Sequence, residues 1–205
     1  MNFIPSLEAA DRYVGYLNRV AHTDPGRRSA LRRGLGRSVE DPLVRRAHAV
    51  VVPWLPSGSG RAVESAYYSV AALVASKPVE RQEPAEQAVP ASAPLPDGDK
   101  TPERLTTSIG ATLGAAVREG KLNPDAVEAR LHLLCRQDVT GLHRQLPGLV
   151  RHLTSKDVTP DWGRLLIDLS RWGSRRDWVT KRWLQDYYRA ATTTPDSDNP
   201  ESEDQ

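Results

Sequence analysis

His132 and Cys135 stand three residues apart in EARLHLLC, the spacing of two metal ligands on one helical turn. A zinc site needs a second pair of this kind, and the sequence has neither a further Cys-x-x-Cys nor a His-x-x-His, so a half-buried structural pair is the reading. Glu128 precedes His132 by one turn and faces the same way, which suits a hydrogen bond better than a catalytic dyad. SGSGR (57–61) approaches a glycine-rich phosphate loop in composition, but it lacks the preceding strand and the Lys-Ser/Thr pair and reads as an interhelical turn. No Walker loop, GxGxxG after a strand, GxSxG or HExxH is present, and nothing supports Cys135 as a nucleophile. No enzyme, cofactor or metal is expected.

The chemistry that remains belongs to arginine, which outnumbers lysine 23 to 5. Such a bias often reflects genome composition alone, so placement carries more information than abundance. A helix N-terminus carries partial positive charge and prefers acids in its first turn. Asp125 and Asp161 obey this preference. Arg27 and Arg28 after Pro25, Arg61 after Gly60, and Arg175 and Arg176 after Ser174 invert it. Free N–H groups with added guanidinium are a means of holding phosphate, so three such ends favour a polyphosphate partner over a merely solvated basic face. Arg32, Arg33, Arg37, Arg45 and Arg46 extend the same field.

RWGSRRDWVTKRWL (171–184) concentrates the pattern, with five basic residues and three tryptophans in fourteen positions. On a helical wheel Val179, Trp183, Leu184 and Tyr187 share one side while Arg175, Arg182 and Arg189 form a stripe on the other. Trp172 and Trp183 are core residues on this reading. Trp178 falls toward the basic stripe, where packing is the commoner outcome and stacking on a base the alternative.

These side chains need a scaffold, and the apolar spacing is helical throughout, so an all-α bundle of eight or nine helices is expected, in one body or two sub-bundles. Asp24-Pro25, Asp41-Pro42, Asn123-Pro124 and Thr159-Pro160 each read as an N-cap followed by proline at the first helical position. The remaining helix starts are Gly60 and Thr107-Ser108. Pro147 predicts a kink or two short helices in TGLHRQLPGLVRHL, and Gly173 predicts the end of the helix carrying Trp162, Leu165, Leu166, Leu169 and Trp172.

The net charge of the 205-residue chain is +2, unevenly spread. Residues 77–104, rich in Pro, Ala and Glu, read as a flexible loop, and 192–205, with five acids and no base, as a disordered acidic tail. The rest of 1–191 is expected to form one domain holding 24 basic and 15 acidic residues. The sequence has no apolar run of membrane-span length, MNFIPSLEAADRY does not read as a signal peptide, and the single cysteine suits a reducing cytoplasm, where the protein is expected.

The segments VGYLNRV, ALRRGLGR, VVPWLP, SIGATLGAAVREGKLNPDAVEARLHLLCRQD and DWGRLLIDLSRWGSRRDWVTKRWLQDYYR, in this order and spacing, closely resemble the CasB family, the small subunit of the type I-E CRISPR Cascade complex. The resemblance spans nearly all of the chain outside 77–104 and the tail. It implies an all-helical, non-enzymatic subunit present as two copies in a crRNA-guided DNA surveillance complex. Its neighbours would be the backbone-forming subunits and the large subunit that reads the PAM. Its basic face would support the crRNA–target heteroduplex and the displaced strand. By matching segments the resemblance implies nucleic-acid contacts at Arg32, Arg33, Arg61, Arg136, Arg151, Arg175 and Arg176. The helix-start and wheel arguments add Arg27, Arg28 and Arg182. An independent DNA-binding regulator would call for a recognition helix, and no clear helix-turn-helix is present. An adaptor whose arginines serve acidic proteins is the other alternative.

Overall fold

The computed structural model describes residues 4–77 and 106–192. They form eight α-helices and two 3-10 turns, and no strand occurs among the described residues. Most helices begin where a side-chain oxygen can accept an otherwise orphaned N–H. Ser6 opens α1 (Leu7–Thr23) and Asp24 opens α2 (Pro25–Arg32). Asp41 opens a 3-10 turn (Pro42–Ala47) that leads into the short α3 (His48–Val51) and a second such turn (Val52–Trp54). Ser108, Asn123 and Asp138 open α5 (Ile109–Arg118), α6 (Pro124–Cys135) and α7 (Val139–Thr154). α4 (Arg61–Ser76) follows Gly60 and has no side-chain cap. α8 (Trp162–Thr192) completes the fold. The loop expected at 77–104 and the tail expected at 192–205 lie, except for Lys77 and Thr192, outside the described residues.

Two helix boundaries differ from the expectation. α7 runs unbroken through Pro147, because Leu142, Leu146, Leu149, Val150 and Leu153 are all buried along one face. Their burial outweighs the roughly 3 kcal/mol cost of an interior proline. α8 is capped by Asp161, whose Oδ1 accepts the Arg164 N–H at 3.0 Å, and not by Thr159. The break expected at Gly173 falls at Arg175 (φ −137°, ψ 36°), where α8 kinks and a second helical segment runs on to Thr192. Gly173 serves a close approach, since a Cβ there would lie 2.7 Å from Ala62 Cβ.

The first half of α8 is the axis of the molecule, with every residue from Trp162 to Ser170 buried. α5 packs against α8 most extensively, followed by α4 and α1, while α2 packs on α4 and α7 bridges α4 and α6. Helices from both sides of residues 78–105 therefore share one core instead of forming two sub-bundles. The expected tryptophans lie inside it, with Trp172 and Trp183 1% and 0% exposed. α5 reaches α8 through Gly110 and Gly114, one turn apart on the contact face. A Cβ on Gly110 would stand 1.9 Å from the Trp183 carbonyl oxygen, and one on Gly114 2.4 Å from that of Tyr187. Gly110→Ala is expected to destabilise at the upper end of the about 1–3 kcal/mol typical of overpacking, because backbone meets backbone. Urea unfolding checks this, and an unchanged midpoint would mean that the two helices separate freely.

Candidate nucleic-acid interface

The guanidiniums divide into those with protein partners and those without. Asp24 accepts the Arg27 N–H at 2.9 Å, and its other oxygen lies 3.2 Å from Arg27 Nε, so the start of α2 already holds an acid. Arg28 donates from Nε to the Ala75 carbonyl at 3.1 Å and from a terminal nitrogen to the Lys77 carbonyl. Arg28 therefore clamps the C-terminal end of α4, a task the helix-start argument did not foresee. The start expected at Ser174 falls at the kink at Arg175, where the two helical segments of α8 meet. Unlike the start of α2, the Gly60–Arg61 end of α4 has no capping carboxylate or hydroxyl.

Arg32 and Arg151 meet from different elements. With Leu35, Ser76, Pro147, Val150 and Thr154 they line a depression of about 140 Å³ between the end of α2 and the last turns of α7. Both cations sit in last turns, where the helix dipole favours them. Arg33, the next residue, is exposed. No described carboxylate forms an ion pair with any of these three.

Leu35 and Gly36 lead from this depression to a second one. Gly36 has φ +67°, and a Cβ there would lie 3.4 Å from the Arg144 carbonyl and 3.8 Å from the Pro147 ring, so the backbone rests directly on α7. Beyond it, Arg37, Ser38, Arg61, Ser65, Ser69, Thr140, His143 and Arg144 line a small cavity of about 60 Å³. Arg37 is paired with Asp41 at 3.0 Å, whereas Arg61 and Arg144 are exposed and have no described carboxylate partner. Burial pushes His143 down to about 4, so the ring is neutral near pH 7; its Nδ1 lies 2.7 Å from Ser69 Oγ. Arg144 also borders a wider groove with Arg130, Leu133 and Gly148. A track of cations thus follows α7 from Arg151 and Arg32 to Arg144, Arg61 and Arg130. Arg144 and Arg130 were not singled out from the sequence, although the seven-residue spacing of Arg144 and Arg151 places them on one helix face.

A third group surrounds the kink in α8. Arg176 donates to the Arg136 carbonyl at 3.2 Å, joining α8 to the end of α6. The guanidinium of Arg136 and that of Arg175 remain exposed. Trp178 is 46% exposed, with the guanidinium carbons of Arg171 and Arg182 at 5.3 and 5.6 Å from its ring centroid. Arg182 is also held by Asp186 at 3.5 Å, and Arg189 lies 3.8 Å from the same residue, so the stripe read from the wheel is partly neutralised.

Glu128 and His132 do share a face. The Tyr188 hydroxyl donates to Glu128 Oε1 at 2.8 Å and lies 3.2 Å from His132 Nε2, fastening α6 to α8. Burial pushes the Cys135 thiol up to about 11, which leaves almost no thiolate at neutral pH. No group of three or more His, Cys, Asp or Glu residues suited to a metal ion occurs among the described residues. No described helix is long and apolar enough to cross a membrane.

Helices around one buried axis, with guanidiniums along α7 that no described carboxylate pairs, define an all-α protein with a basic face of the kind that attracts polyanions. The comparisons specify this class further. Residues 27–188 match the profile of the CRISPR-associated protein Cse2 family, so the chain belongs to that family, as the CasB resemblance anticipated. It is 29% identical over 190 residues to CRISPR-associated protein Cse2 of Thermus thermophilus, covering 91% of this chain and 94% of the relative. It is similar, with a TM-score of 0.73 and 38% identity over 90% of its length, to a chain of a CRISPR RNA-guided surveillance complex, 94% of which is covered. The crystal structure of CasB from Thermus thermophilus matches with a TM-score of 0.59 and 27% identity, covering 88% of this chain and 98% of the other.

Proposed function

We propose that the chain is a non-catalytic subunit of a crRNA-guided surveillance complex of the type I-E Cascade kind, gripping nucleic-acid backbone without reading sequence. The observation that carries this reading is the track along α7, where Arg32, Arg151, Arg144 and Arg61 line adjoining depressions and have no described carboxylate partners. Guided recognition leaves sequence to base pairing, so a protein subunit need only hold phosphates. The crRNA–target heteroduplex and the displaced strand are the ligands in this reading. Arg33, Arg136 and Arg175 are exposed alongside the track residues as further contacts. Arg27, Arg28, Arg176 and Arg182 contribute less, because neighbouring protein groups already engage their guanidiniums. The protein partners are the backbone-forming subunits, the large PAM-reading subunit and a second copy of the chain, and the setting is the cytoplasm. Membership in the Cse2 family and the likeness to a chain of a surveillance complex support this assignment.

Fluorescence polarisation with labelled single- and double-stranded oligonucleotides tests it across a salt series. Affinity is expected to fall with salt at a log–log slope of about 0.7 per phosphate held on a single strand, with little sequence preference. Replacing both Arg32 and Arg33 with Ala is expected to reduce that slope and lower R-loop stability in the assembled complex while leaving the fold intact. Affinity indifferent to salt would favour the protein adaptor instead.

A further inference from the structure

The cavity at the start of α4 has features that a general basic face does not require. His143 is 6% exposed, lines the cavity, and leaves its Nε2 without a hydrogen-bond partner. A buried polar nitrogen in this condition carries a desolvation cost that a bound group would relieve. One face of a sixteen-residue helix, Arg61, Ser65 and Ser69, lines the same cavity, and the Gly60 N-cap before it offers no side chain. Two guanidiniums, Arg61 and Arg144, stand at its rim without described carboxylate partners, and Arg37, Ser65, Ser69 and Thr140 complete the wall. No carboxylate lines it. With about 60 Å³ of room it exceeds the space of a single water and admits one small tetrahedral group.

We propose that this cavity is a discrete phosphate-binding site, in which Arg61, Arg144 and the Nε2–H of neutral His143 hold one phosphoryl group. In this site the Ser69 hydroxyl, 2.7 Å from Nδ1, acts as donor to that nitrogen, the arrangement that leaves the ring proton on Nε2. A neutral imidazole supplies a donor without adding a third buried charge. Gly36, at φ +67°, brings the chain onto α7 beside Arg144 and closes one wall of the cavity. The inference rests on the nucleic-acid reading only for the source of the phosphate, which is either an internal diester of a strand or a terminal monoester.

The test follows the His143 imidazole nitrogens by NMR in the full chain near pH 7 while inorganic phosphate replaces chloride at constant ionic strength. A saturable shift is expected. Arg61→Gln and Arg144→Gln should each weaken it about tenfold or more, the fold-change of one charge-assisted hydrogen bond, while Arg12→Gln on the surface of α1 leaves it unchanged. Where the ring is replaced, phosphorus line broadening reports binding: His143→Gln retains a donor and binds, and His143→Met does not. A second arm compares 5′-phosphorylated with 5′-hydroxyl oligothymidylate. Preference for the phosphorylated strand assigns the site to a terminal monoester, and equal affinity with displacement of both by inorganic phosphate assigns it to a backbone diester. A His143 signal that drifts linearly with phosphate, or one insensitive to Arg144→Gln, overturns the site even if oligonucleotides bind elsewhere. Saturable phosphate binding in a protein that ignores oligonucleotides keeps the site and discards the nucleic-acid reading.

Discussion

Asp168→Ala is expected to lower the free energy of unfolding by about 3–5 kcal/mol, the range for breaking a buried ion pair by removing one partner. Asp168 is 0% exposed within the buried half of α8. One carboxylate oxygen lies 2.8 Å from the Arg164 guanidinium, and the other accepts the Trp183 indole N–H at 2.8 Å. It therefore ties the two halves of α8 together across Arg175, where Trp172 and Trp183 lie with ring centroids 5.0 Å apart. Without it, the Arg164 side chain, only 10% exposed, keeps its charge with no counterion, and the Trp183 nitrogen loses its acceptor. Asp168→Asn retains an acceptor for the indole and should cost less. The double change Arg164→Met with Asp168→Leu should cost less than the Asp168→Ala single, since no buried charge is stranded. Urea unfolding with tryptophan fluorescence measures all three. A loss below about 1 kcal/mol for Asp168→Ala would show that water reaches Arg164 and that the pair is not a structural tie.

The helices were legible in the sequence because their signals are local. Asp24, Asp41, Asn123 and Ser108 each cap the turn they were read to cap, and the stripes Val127-Leu131-Leu134 and Trp162-Leu165-Leu166-Leu169-Trp172 are buried as their spacing required. The break read at Gly173 is present within two residues, at Arg175, whereas the one read at Pro147 was misplaced, because the proline is a strong local signal overruled by distant packing. The face of α7 holds its helix through the proline, and the glycine answers a neighbour on α4. The site was legible only as a list of cations. Arg28 is engaged by carbonyls of residues 75 and 77, and nothing in GRRSALRR announces them. Arg144 and His143 acquire a role only when α4 and the segment around Gly36 lie against α7, a juxtaposition with no local signature. Trp178 lies between the alternatives read for it, half-exposed between two guanidiniums.

The stability of the folded chain is expected to fall by about 3 kcal/mol between pH 6.5 and pH 4 on account of His143 alone. Burial lowers this imidazole from 6.5 to about 4, so in that window the unfolded chain takes up a proton that the folded one refuses. Stability therefore rises with pH through the window, and above pH 6.5 the neutral ring carries no penalty. The charged groups lining its cavity are Arg37, Arg61 and Arg144, all cations, and none would welcome an imidazolium. His152, also lowered by burial and by the nearby Arg130 and Lys156, adds a slope of the same sign, so the contribution of His143 is read as a difference between proteins. His143→Gln should flatten that share of the profile in urea unfolding measured across the window. Saturating phosphate should flatten it too, because an anion beside the ring favours the protonated form and narrows the gap between folded and unfolded states. A profile that His143→Gln leaves unchanged would mean that water already reaches the ring, removing both the linkage and the reason for a ligand at Nε2.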